Sequence, residues 1–272
     1  MKKLGTLLLS GLAVLGLAAC GQAASSDDTV VRLGVMDQDQ RHWEHVVETL
    51  AEEGITLELV RFTDWVLPNV ALAEGELDLN SFQTYSFKEN FNEANNQNLV
   101  PIAETQIMHF GIYSSAISNL SELEVGASVS LPNDPTNGGR ALLILQHAGL
   151  VEIDPAAGFM PSIEDITSNP YELTFTEVQA QMLPSTLPDV TLVLMNASIA
   201  NDAGLNPHED ALFLEPLPLG EHSPFINVIA ARPEDADRDV FQTVVAHFQT
   251  DEVAAIITEI TSGASFPVWT LN

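Results

Sequence analysis

Short apolar blocks alternate with polar ones from residue 29 to the end of the 272-residue chain. The apolar run at 29–36 ("TVVRLGVM") predicts a buried strand, and the alternation at 55–62 ("ITLELVRF") predicts a second. Between them, "HWEHVVETLAEEG" (42–54) has helical spacing and stops at Gly54. A short helix follows, with Pro68 near its start and Gly75 at its end, then a strand at 77–83, a polar helix at 87–97 and strands within 99–115. This β-α-β-α-β order predicts a parallel sheet with helices on its faces. The pattern then restarts: a strand and loop within 122–133, a helix over 138–149 ended by Gly149, and strands at 171–178, 189–196 and 225–232. A short helical piece, "QAQMLPST", lies between the first two of those strands, and helices over 233–249 and 251–261 close the chain. The order fits an α/β protein of two lobes, each with its own sheet. Lobe I is read as 29–110 plus 226–272 and lobe II as 111–225. Ligands of such sheets bind beyond the carboxyl ends of the strands, so the candidate site is the cleft between lobes.

The first twenty residues depart from this pattern. A positive "MKK", an uncharged apolar run and Leu17-Ala18-Ala19 before Cys20 read as an export signal whose apolar run is short for a membrane span. It resembles the lipobox of bacterial lipoproteins, which implies removal of residues 1–19 and lipidation of Cys20. Residues 20–28 then form a flexible tether. Cys20 is the only cysteine, so no disulfide forms within the chain. Charge sharpens the picture further. The chain has 38 acidic and nine basic residues, a net of −29. Loss of Lys2 and Lys3 with the signal leaves seven basic residues and a net of −31. So acidic a surface excludes nucleic acid as a partner and predicts adaptation to salt.

Candidate chemistry gathers at the predicted strand ends. In "NDPTNGGRALLILQ" (133–146), Asp134-Pro135 sets a turn and Thr136 or Asn137 is expected to cap the helix. Gly138 and Gly139 would let a ligand approach the backbone. Arg140, one of six arginines, would supply a two-pronged donor for a carboxylate or phosphate. Trp65, Phe82, Tyr85 and Phe87 could enclose an apolar chain, and Asn196 and Asn227 could serve an ammonium or a carboxylate. Chemistry for turnover is not evident: the chain has neither a Gly-x-Ser-x-Gly elbow nor His-Glu-x-x-His. His42 and His45, three apart, could share a metal, but beside Arg41 and Glu44 they are read as a solvated helix face. No metal or cofactor is assigned.

Several segments, among them "FTDWVLPN", "ALAEGELDLNSFQ", "PNDPTNGGRALLILQHAGL", "DALFLE" and "SPFINVI", resemble the methionine-binding lipoproteins of bacterial ATP-binding-cassette importers. The resemblance runs from "LAAC" to "FPVW". It implies a two-lobed periplasmic-binding-protein-like fold (type II) closing on a free amino acid, without enzymatic activity. Arg140, helped by Asn137, would hold the α-carboxylate, Asn196 and Asn227 would serve the head group, and Trp65, Phe82 and Phe87 would line the side-chain pocket. The implied partners are the membrane and ATPase subunits of an importer, and the membrane itself through lipid on Cys20, outside the cytoplasm. The chain is expected to be a monomer. Trp65 stands where the family usually has Tyr, Thr84 where it has His and Ile199 where Tyr is common, and His109 lies in an atypical segment. These departures leave open D-methionine, a methionine derivative or another apolar amino acid. Readings from other classes are an extracytoplasmic hydrolase and an anchored interaction protein without a small ligand.

Overall fold

The computed structural model describes residues 29–36, 38–217 and 223–271. The export signal, Cys20 and the tether lie outside the described residues.

The chain begins with β1 (Thr29–Val35), α1 (Arg41–Ala51), β2 (Ile55–Arg61), α2 (Leu67–Ala73), β3 (Leu79–Thr84), α3 (Tyr85–Asn95) and β4 (Val100–Glu104). A short β5 (Gln106–Met108) leads to β6 (Phe110–Tyr113), β7 (Ser128–Pro132), α4 (Pro135–His147), β8 (Glu152–Ile153), β9 (Ile166–Ser168), β10 (Thr174–Val178), α5 (Leu183–Thr186) and β11 (Leu192–Asn196). After α6 (Ala197–Asp202), α7 (Pro207–Asp210) and β12 (Phe213–Leu214) come β13 (Asn227–Ala231), α8 (Asp239–Phe248), α9 (Asp251–Ile260) and β14 (Ser265–Pro267).

Two five-stranded sheets result, in the orders β2-β1-β3-β13-β4 and β10-β7-β11-β6-β12. Each contains a parallel core, as the β-α alternation predicts: β2, β1 and β3 in one sheet, β10, β7 and β11 in the other. Neither sheet is wholly parallel, however. β13 runs antiparallel to β3 and β4, and β6 runs antiparallel to β11 and β12. These are the strands on which the chain enters one sheet from the other. Among the described residues no crossover helix turns the chain back before either strand, so direction is set by the point of entry. Phe110 pairs with Asn196 in the second sheet.

Burial follows from helical and strand periodicity. Trp43, Val46 and Leu50 of α1 recur on one face and pack with Val31, Leu33 and Val35 of β1 and with Phe241, Val244 and Phe248 of α8. Trp43 stacks on Phe248 with ring centroids 4.3 Å apart. In the other lobe, β7 and β11 bury against Ala141, Leu142, Ile144 and Leu145 of α4. The stretch predicted as strands over 99–115 is divided in three, because Thr105 and His109 turn away to bond elsewhere. The Thr105 N–H donates to the Asn227 carbonyl at 2.8 Å, and the His109 N–H to the Ala264 carbonyl at 3.0 Å. Between them β5 pairs with β14, so the C-terminal segment straps the crossing from one sheet to the other.

Candidate functional site

The parallel strands of both sheets point their carboxyl ends at one cleft. Met36 follows β1, Phe82 and Thr84 end β3, Asn137 and Arg140 follow β7, and Asn196 ends β11; all line this cleft. Trp65, Phe87 and Asn227 join them, so the structure brings eight residues singled out in the sequence, though not Tyr85, to a single cavity.

The start of α4 is built differently from the expectation. The cap is Asp134, not Thr136 or Asn137: its carboxylate accepts from the Asn137 N–H at 2.9 Å, the Asn137 side-chain amide at 3.0 Å and the Thr136 hydroxyl at 2.8 Å. An ionised carboxylate is the stronger acceptor at a helix N-terminus, so Asp134 takes the cap and Pro135 occupies the first turn. Gly138 and Gly139 lie inside the helix, and what approaches them is protein, not ligand. A Cβ on Gly138 would stand 2.8 Å from the Pro132 carbonyl oxygen, and one on Gly139 would stand 2.7 Å from the Met160 Cα. The two glycines let the helix sit close to its own strand and to the loop around Met160.

Arg140 is 1% exposed. Its Nε donates to Glu215 at 3.0 and 3.2 Å, and one terminal nitrogen donates to the Met108 carbonyl at 2.7 Å and closely to the Glu215 carboxylate. The guanidinium lies 4.5 Å from the Phe225 ring centroid. Glu215 answers the need for a counter-charge in a buried cation, and sequence reasoning missed it among 38 acidic residues. The pairing is one-sided: the other terminal nitrogen, Nη1, is buried with no hydrogen-bond partner among the described residues. Asn196 donates to the Asn137 side-chain oxygen at 3.0 Å, which leaves its own Oδ1 buried and unpartnered. A cationic donor and a neutral acceptor thus stand open on one wall. They complement a carboxylate and an ammonium respectively.

Aromatic rings form another part of the wall. Phe87 meets Trp65 and Phe82 edge-on, with centroids 6.2 and 6.0 Å apart. Trp65 also packs against the apolar cluster that contains Tyr113, Met195 and Ile199, so it reaches from one sheet's side of the cleft to the other. Thr84 caps α3, its hydroxyl accepting from the Phe87 N–H at 3.2 Å. Tyr85 does not line the cleft; its hydroxyl donates to Glu104.

The lining also includes Gln40, Gln106 and Phe248, which the sequence reading passed over, and His42, which it placed elsewhere. His42 is not on a solvated face. It is buried beside Trp43 and Phe248, and burial lowers its pKa to about 4, leaving it neutral at pH 7. His45 instead lies near Glu252 at 3.6 Å. Among the described residues, no group of three His, Cys, Asp or Glu side chains could hold a metal.

Residues 31–269 match the NlpA lipoprotein family. The chain belongs to that family. It is 34% identical over 259 residues to the D-methionine-binding lipoprotein MetQ of Salmonella typhimurium, an alignment covering 94% of each chain. Lipoprotein 28 of Escherichia coli K12 is 34% identical over 97% of this chain and 95% of its own. Among solved structures, a nutrient-binding protein from Burkholderia cenocepacia bound to methionine is 33% identical, with a TM-score of 0.83 over 87% of this chain and 99% of that one. A substrate-binding protein of a methionine transporter from Streptococcus pneumoniae is 31% identical, with a TM-score of 0.83 over 88% and 96%. Like those proteins, this NlpA lipoprotein family member has the two-lobed fold of substrate-binding proteins.

Proposed function

We propose that this protein is the lipid-anchored binding component of an ABC importer and captures a free α-amino acid of methionine size. The observation that carries this reading is the open pair at the head of the cavity: the buried Nη1 of Arg140 and the buried Oδ1 of Asn196. A zwitterion completes both atoms at once. The ligand's carboxylate meets Arg140, its ammonium meets Asn196, and Asn137 and Asn227 hold the surrounding network. Trp65, Phe82 and Phe87 cover the side chain, and Thr84 fixes Phe87 by capping its helix. Burial between lobes then follows from closure about the crossing near residue 109. A zwitterion has no net charge, so a protein field of −31 does not repel it.

Family membership and the relatives' names support methionine as a ligand and the membrane and ATPase subunits of an importer as partners. They also support attachment outside the cytoplasm through lipid on Cys20. Among the described residues, no helix is long and apolar enough to cross a membrane.

Calorimetry with L-methionine tests the assignment. Arg140→Ala is expected to weaken binding more than tenfold, because a charge-assisted hydrogen bond contributes about 1.5–3 kcal/mol. Unchanged affinity in a folded variant would overturn the head-group assignment.

A further inference from the structure

The aromatic wall of the cleft is assembled from three separate elements, and a buried cluster of amides ties two of them together. Trp65 precedes α2, Phe82 lies on β3 and Phe87 on α3. Asn69 of α2 and Asn80 of β3 are wholly buried, and Gln83, between Phe82 and Thr84, is 2% exposed. Asn69 and Gln83 face each other as an amide pair, each donating to the other's oxygen at 2.6 Å. Asn80 closes the triad. It donates to the Asn69 oxygen at 2.8 Å and to the Pro68 carbonyl at 3.3 Å, and it accepts from Gln83 at 2.8 Å. An apolar contact at this junction would be non-directional and would leave the helix free to slide on the strand. Hydrogen bonds between planar amides are directional, so all three are satisfied in one relative position of α2 and β3.

That position matters to the cleft because Trp65 stands just before the first turn of α2. The Asp64 carboxylate accepts from the Val66 and Leu67 N–H groups at 2.8 and 3.0 Å, and the Asn69 N–H donates to the Val66 carbonyl at 3.1 Å. The backbone on both sides of Trp65 is thus fastened to α2, and the Asn69 side chain fastens α2 to β3. The strand end is shaped as well. Val228 of β13 pairs with Gln83 and Ile229 with Ser81, so Phe82 is passed over in the register. Such a bulge bends a strand and re-aims its side chains, and here Ser81, Phe82, Gln83 and Thr84 line the cleft in succession. Gln83 holds the bulged end against α2.

We propose that the Asn69–Asn80–Gln83 triad is a positioning group for ligand binding: it fixes where Trp65 stands relative to Phe82, and so sets the pocket that takes the methionine side chain. Asn69 and Asn80 do not line the cleft, so they act through the rings and not by touching the ligand. Arg140, Asn137 and Asn196 stand on α4 and β11, in the other lobe, and hold the head group independently of the triad. This role rests on the amino-acid reading above and adds the residues that set its side-chain pocket.

The test is a double-mutant cycle read by calorimetry with L-methionine, on protein freed of bound ligand by unfolding and refolding. Asn69→Ala is measured alone and combined with Trp65→Ala, each variant being checked for folding by circular dichroism. Alone, Asn69→Ala is expected to weaken methionine by about tenfold or more. In the Trp65→Ala background, where the ring it positions is gone, the same change should cost less than about threefold. A merely structural asparagine would weaken binding equally in both backgrounds, and that result would overturn the proposal. Unchanged affinity in folded Asn69→Ala would overturn it too. Should Asn69→Ala not fold, Asn69→Ser keeps a hydroxyl for its neighbours but is too short for the amide pair, and it gives the same comparison. If the unmodified protein binds methionine through Arg140 and Asn69 has no part in it, the positioning role alone falls. If the unmodified protein does not bind methionine, the amino-acid reading falls and takes the positioning role with it.

Discussion

Glu215→Gln isolates the charge of the buried ion pair with little change in shape. Arg140 and Glu215 are 1% and 5% exposed, so neither charge is compensated by bulk water. In the variant the guanidinium keeps the Met108 carbonyl at 2.7 Å and the ring of Phe225, but it loses its anion. Breaking a buried pair by removing one partner costs about 3–5 kcal/mol, and the lower end applies because the new amide still accepts a hydrogen bond. In a protein of this size each kcal/mol shifts the melting temperature by about 2–4 °C, so a loss of about 6–12 °C is expected. Glu259→Gln is the control. Its pair with Arg41, at 2.7 Å, lies in water, where solvent screening leaves an ion pair contributing little. A second consequence separates a structural pair from a ligand site. With Glu215 neutral, a bound carboxylate becomes the only anion beside Arg140, so excess L-methionine should raise the melting temperature of Glu215→Gln more than that of the unmodified protein. Differential scanning calorimetry with and without ligand reads both effects. A variant that melts within 2 °C of the Glu259→Gln control would refute the reasoning.

Three further outcomes follow from the same structure. His42 has its pKa lowered by burial from 6.5 to about 4, so the unfolded chain binds the extra proton first and stability is lost as pH falls from about 6.5 towards 4. The full effect is about 3 kcal/mol, and His42→Leu should flatten the melting profile between pH 7 and pH 4.5; parallel profiles would contradict it. Gly139→Ala should destabilise by about 1–3 kcal/mol in urea unfolding, because its Cβ would stand 2.7 Å from the Met160 backbone; a neutral effect would mean that the Met160 loop yields freely. Finally, with a net charge of −29 over the full chain, the melting temperature should rise from low to molar NaCl as self-repulsion is screened; a flat response would remove the case for salt adaptation.

Much of this protein is written in short-range pattern. Helical and strand periodicity, together with stops at Gly54, Gly75 and Gly149, placed the main elements, since all three glycines take a positive φ of 75–80°. The β-α order then pointed the strand ends at one cleft, which is why Trp65, Phe82, Asn137, Arg140 and Asn196 could be named beforehand. Each of these sits at or just after a strand or at a helix start, a position readable within about ten residues.

The tertiary structure decided the rest. Arg140 finds its anion 75 residues along the chain, and although the segment "DALFLE" ends on Glu215, nothing local marks that carboxylate as the partner of Arg140. His42 looks like part of a solvated face beside Arg41 and Glu44, yet Phe248 of a distant helix covers it and turns it towards the cavity wall. The cap at Asp134 was a local contest that a carboxylate won over a hydroxyl and an amide. Strand direction in β6 and β13 depended on where the chain re-entered each sheet. Backbone preference and hydrophobic spacing act between neighbours, so sequence determined the elements and the edge of the site. Which buried polar atoms are paired, and which wait for a ligand, depends on contacts between elements far apart in the chain.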